Sequence, residues 1–153
     1  MFFAKKDDNE TFDILQKKNI LLNRKVEKRE EVIKILGMKL VESGYVNPSY
    51  IDAMIEREKT FATYMGNGIA LPHGVESAKE GILASGIAIM IVPSGIDWNG
   101  EEAKVIIAIA GKGDEHLDIL GNIASKLGEE AAVDELLTMN VDEVYEFITR
   151  KEE

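Results

Sequence analysis

Cysteine is absent from this 153-residue sequence, which removes disulfides, thiolate metal sites and cysteine nucleophiles together. Histidine is scarce. His73 and His116 stand 43 positions apart with no H-E-x-x-H spacing, a poor basis for a metal site. Long apolar runs are missing as well: segments 87–92 and 105–110 fall far short of the roughly 20 residues that a membrane-spanning helix needs. The start, Met1-Phe2-Phe3-Ala4-Lys5-Lys6-Asp7-Asp8, lacks the apolar stretch of a secretory signal. We therefore expect a cytoplasmic protein without membrane insertion.

A basic stripe is missing too. The chain has 18 Lys+Arg against 28 Asp+Glu, a formal net charge of -10, whereas nucleic-acid binding normally requires clustered cations to neutralise phosphates. The imbalance is local: residues 1–113 hold 16 acids and 15 bases, and residues 114–153 hold 12 acids and 3 bases. What is present, 45% hydrophobic and 30% charged residues, suits a globular chain, and the length suits one domain over residues 1–153.

Periodicity orders the elements. Ile20-Leu21-Leu22 reads as an edge strand. Val32, Ile33, Leu36, Leu40 and Val41 recur at helical spacing over about residues 27–42, and Gly44 supplies a stop. Asn47 and Pro48 mark the cap and first position of a second helix, with Ile51, Met54 and Ile55 inward and Arg57 near its end. Residues 60–74 read as strand, turn and strand around Gly66-Asn67-Gly68, with Pro72 ending or edging the pairing. Segments 86–92 and 104–110 are Ile/Val-rich buried strands, separated by Pro93-Ser94-Gly95 and a polar loop around Trp98-Asn99-Gly100. Helices follow, one with Leu117, Leu120, Ile123, Ala124 and Leu127 on a single face, then Val133, Leu136 and Leu137, then Val141, Val144, Phe147 and Ile148. This order predicts an α/β three-layer sandwich with a central mixed β-sheet flanked by helices.

Two segments could carry chemistry. In Gly68-Ile69-Ala70-Leu71-Pro72-His73-Gly74 the proline stiffens the backbone before His73 and the glycine leaves room for a bulky group. An imidazole with an ordinary pKa of about 6.5 is largely neutral near pH 7 and can attack phosphorus through a ring nitrogen. A loop histidine without a role is the competing reading. In Ala110-Gly111-Lys112-Gly113-Asp114-Glu115-His116-Leu117 an apolar strand enters a glycine loop and then a helix with Asp114 as its cap. Such a helix start favours anions, although a solvated His116 is equally compatible and the P-loop pattern is missing. Arg57, within Ile55-Glu56-Arg57-Glu58-Lys59, reads as part of a solvated charge run unless it turns inward, where its guanidinium fork would suit a phosphate.

Taken together, Tyr50-Ile51-Asp52-Ala53-Met54-Ile55-Glu56-Arg57-Glu58, Tyr64-Met65-Gly66-Asn67-Gly68-Ile69-Ala70-Leu71-Pro72-His73-Gly74 and Asp114-Glu115-His116-Leu117 resemble the enzyme IIA component of the bacterial sugar phosphotransferase system. The resemblance covers nearly the whole chain and lies in the mannitol/fructose class, closest to its mannitol branch. It implies that His73 is phosphorylated by the histidine of the small carrier HPr and passes the group to a cysteine on a mannitol IIB domain. It further implies that Arg57 lies beside the active histidine, that His116 is the second active-site histidine, and that neither metal nor cofactor is needed. Asp114 departs from the asparagine usual in mannitol members. With no cysteine in this chain, the IIB acceptor and the membrane IIC domain are expected elsewhere, making this a free-standing IIA protein. A nitrogen-type regulatory IIA protein, acting by docking on other proteins, is the alternative.

Overall fold

The computed structural model describes residues 14–60, 62–74, 81–113 and 115–150, with the side chains of residues 116 and 130 outside that description. The polar start and the proposed cap Asp114 also lie outside it. A short 3-10 turn, Lys17–Asn19, precedes β1 (Ile20–Leu21), α1 (Arg29–Glu42) and α2 (Ser49–Thr60). Next come β2 (Tyr64–Gly66), β3 (Ile69–Ala70), β4 (Gly86–Trp98) and β5 (Glu101–Ala110). The helices α3 (Glu115–Leu127), α4 (Glu130–Leu136) and α5 (Val141–Thr149) follow. The strands make one mixed sheet in the order β1-β4-β5-β3-β2, with β1 parallel to β4, β3 parallel to β5, and antiparallel pairing of β4 with β5 and β2 with β3.

Strand alternation explains the layers. Successive side chains point to opposite faces, and here both faces are covered. Ala70, Ala88, Met90, Ala108 and Ala110 face Val32, Leu36 and Leu40 of α1 and Met54 of α2. Ile69, Ile89, Ile107 and Ile109 face Ile119 and Ile123 of α3, Val133 of α4 and Val144 of α5. A strand buried on both sides reads as an uninterrupted apolar run, which is why segments 86–92 and 104–110 show no polar alternation. The result is the expected three-layer sandwich.

Three expectations need correction. The break expected at Pro93-Ser94-Gly95 is strand, and the loop expected around Trp98-Asn99-Gly100 shrinks to its last two residues: β4 continues through Pro93-Ser94-Gly95 to Trp98. Residues 92–95 stand opposite Lys104 alone, and Gly95 takes a positive φ of 84°, so a bulge absorbs the turn-forming residues without ending the pairing. The hairpin closes only at Asn99 and Gly100, with φ of 57° and 95°. Leu117 is 61% exposed, and the inner face of α3 is Ile119, Ile123 and Leu127; two residues of helix turn a side chain by about 200°, so Leu117 and Ile119 cannot share a face. Finally, α2 begins at Ser49, just after Pro48, with Asn47 O accepting from Tyr50 N at 2.9 Å. By contrast, Gly44 stops α1 with φ of 83° as expected.

Candidate functional site

The His73 segment is built outward from β3. That strand ends at Ala70, yet the pairing does not end at Pro72. Proline lacks a backbone donor but keeps its carbonyl, and Pro72 O accepts from Ile109 N at 2.9 Å. His73 therefore pairs with Ile109 as a parallel bridge.

The imidazole has a defined tautomer. Its Nδ1 lies 2.8 Å from Leu71 O, and since a carbonyl oxygen can only accept, Nδ1 carries the proton. In the neutral ring the lone pair then belongs to Nε2. The side chain is half-buried.

Helix α2 holds this segment at two points. Near its start, Tyr50 Oη accepts from Gly74 N at 2.8 Å and donates to Ile109 O at 2.8 Å. Near its end, Glu58, only 4% exposed, accepts from Thr63 N at 2.8 Å, Thr63 Oγ1 at 2.6 Å and Trp98 Nε1 at 2.8 Å. Thr63 O in turn accepts from Leu71 N at 3.0 Å, the residue whose carbonyl holds His73. A buried carboxylate requires such donors. Arg57 is half-buried on the same helix, seven residues beyond Tyr50 and next to Glu58, so it stands between the two attachment points.

Parallel pairing of β3 and β5 brings the second histidine's segment to the same end of the sheet. His73 lies just past the C-terminal end of β3, and residues 111–113 leave the C-terminal end of β5, where ligands of open α/β sheets commonly bind. His116 occupies the first turn of α3; its side chain is outside the described residues. The loop before it is tied down: Lys112 N donates to Ser85 Oγ at 2.9 Å, Ser85 Oγ donates to Glu115, and Lys112 Nζ reaches Leu83 O at 3.4 Å.

Sequence reasoning missed Tyr50 and Glu58. A signal for Tyr50 lay in Gly74, where an added Cβ would stand 2.5 Å from Tyr50 Cε1. Glu58 was hidden within a charge run, and only the helix face it occupies separates it from Glu56.

The phosphoenolpyruvate-dependent sugar phosphotransferase system EIIA 2 family model matches residues 13–151. The mannitol-specific phosphotransferase enzyme IIA component of Halalkalibacterium halodurans is 46% identical over 136 residues, covering 88% of this chain and 94% of that one. Its Bacillus subtilis counterpart is 48% identical over 131 residues, covering 85% and 92%. Among solved structures, the complex of enzyme IIAMTL with phosphorylated enzyme IIBMTL from Escherichia coli matches with a TM-score of 0.83 and 36% identity, covering 88% of this chain and 96% of that one. This chain belongs to the EIIA 2 family of the phosphoenolpyruvate-dependent sugar phosphotransferase system.

Proposed function

We propose that this chain is the IIA phosphoryl carrier of a mannitol phosphotransferase system, taking a phosphoryl group from phospho-HPr on His73 and passing it to the cysteine of a IIB domain. That cysteine lies outside this sequence, which contains none. The observation that carries the reading is the 2.8 Å contact from His73 Nδ1 to Leu71 O, because it commits one ring nitrogen to the backbone and makes Nε2 the nucleophile.

In the first half-reaction the Nε2 lone pair attacks phosphorus in line. The bond from phosphorus to the donor's ring nitrogen breaks, and its electron pair returns to that nitrogen. The proton on Nδ1 stays in place, and Leu71 O supports the positive charge that the phosphorylated ring acquires. In the second half-reaction a cysteine thiolate attacks, the phosphorus–Nε2 bond breaks, and its pair becomes the Nε2 lone pair again. Such transfers depend on position and on neutralising the equatorial oxygens. The permanent charge of Arg57 suits that role, and His116 at the start of α3 is the second neutralising group.

The mannitol assignment is supported by relatives of 46% and 48% identity that are mannitol-specific components. The nitrogen-type regulatory reading has less support. The family match over residues 13–151 fits a single IIA domain. The carrier role places the chain in the cytoplasm, and among the described residues no helix is long and apolar enough to cross a membrane.

The test is incubation with phosphoenolpyruvate, enzyme I and HPr. An acid-labile, base-stable phosphoryl group is expected on the wild-type protein, with transfer onward to a mannitol IIB domain, and His73→Ala should abolish it. A variant labelled as fully as wild type would refute the assignment.

A further inference from the structure

Resting on His73 as the phosphoryl acceptor, we infer that Tyr50 is a positioning residue for that reaction: its hydroxyl fixes the backbone from which the imidazole is aimed. In a parallel ladder, the rung beyond Ile109 N–H to Pro72 O would join Gly74 N–H to Ile109 O. The Tyr50 hydroxyl bonds both of those atoms, accepting from the first and donating to the second, each at 2.8 Å. The residue between Pro72 and Gly74 is His73. Its main chain is thus tied to Ile109 on one side directly and on the other through a phenol.

The fit is reciprocal. A Cβ on Gly74 would lie 2.5 Å from Tyr50 Cε1 and 2.9 Å from Cζ, so the glycine makes room for the ring that holds it. Tyr50 is 3% exposed and cannot touch a docking carrier protein. Its influence on transfer must pass through His73. Position matters at this level, since a displacement of about 1 Å at reacting groups costs on the order of 100-fold in rate.

Tyr50→Phe removes one oxygen and keeps the ring. With phospho-HPr as donor, kcat for transfer to His73 should fall by about 10- to 100-fold while KM for the carrier stays within about twofold, the pattern of a group that acts only in the transition state. The 15N shifts of the His73 ring should also depart from those of a pure Nδ1–H tautomer as its backbone loosens. Gly74→Ala, which keeps the hydroxyl but pushes the ring aside, should reproduce both changes. A Tyr50→Phe protein with wild-type kcat and wild-type ring shifts overturns the proposal, as does one that only melts at lower temperature. His73→Ala run in parallel separates the two layers: full labelling of that variant refutes the acceptor assignment, while the ring shifts still decide whether Tyr50 holds the imidazole.

Discussion

Only a protonated phenol can donate to Ile109 O while accepting from Gly74 N–H, so Tyr50 must stay neutral to hold both. Burial raises its pKa above the ordinary 10.0, and the hydrogen bond from Gly74 lowers it in part. The folded pKa thus exceeds the unfolded one, and as pH rises the unfolded chain loses this proton first. The stability Tyr50 contributes is complete below about pH 10 and is lost as pH climbs through the folded value. Urea titrations at pH 8 and pH 11 should therefore show a steeper alkaline loss for wild type than for Tyr50→Phe, and equal losses would contradict it. Glu58 teaches a related lesson. Its side chain is the same as that of Glu56, but its position on α2 places it under Trp98 and Thr63, where a carboxylate serves as an acceptor for three donors.

At the scale of elements, turn chemistry was legible and helix faces were less so. Asn67 and Gly68 adopt φ of 59° and 80°, the pair of left-handed residues that a two-residue hairpin turn requires. Gly68 O then accepts from Lys104 N at 2.7 Å and Val105 N at 3.0 Å, attaching the hairpin to β5. Nothing local announced the bulge at residues 92–95, because Pro-Ser-Gly reads as a turn until a partner strand holds both sides of it. The α3 correction can be measured. Ile123→Ala should cost about 2–5 kcal/mol by opening a cavity, whereas Leu117→Gln should stay within about 0.5 kcal/mol as an exposed change. Denaturant melts that ranked them in the opposite order would contradict this face assignment.

For the whole molecule, the net negative charge is concentrated in one part of the chain. Residues 114–153 hold 12 acids and 3 bases; Tyr50, Arg57, Glu58 and His73 sit in the nearly neutral remainder, and of the proposed site only His116 belongs to the acidic part. An acidic surface steers a basic docking face and repels acidic partners. Transfer from phospho-HPr at sub-saturating carrier should accordingly slow as ionic strength rises toward the point where the Debye length is a few ångströms, and a salt-independent rate would reject steering. By itself, the sequence determined the layers and pointed to the proposed acceptor. Apolar runs too short for a membrane but continuous enough for two-sided burial dictate a covered sheet, and the Pro72-His73-Gly74 context with its family resemblance singles out one imidazole. Only the tertiary structure decided which nitrogen of the His73 ring carries the proton and which keeps the lone pair, since that depends on Leu71 O lying 2.8 Å from Nδ1. It alone joined segments distant in sequence at one end of the sheet, because parallel pairing of β3 with β5 is a long-range choice. And it alone revealed Tyr50 and Glu58 as supports, because a hydroxyl bridging Gly74 to Ile109 leaves no pattern in residues 24 and 59 positions away along the chain.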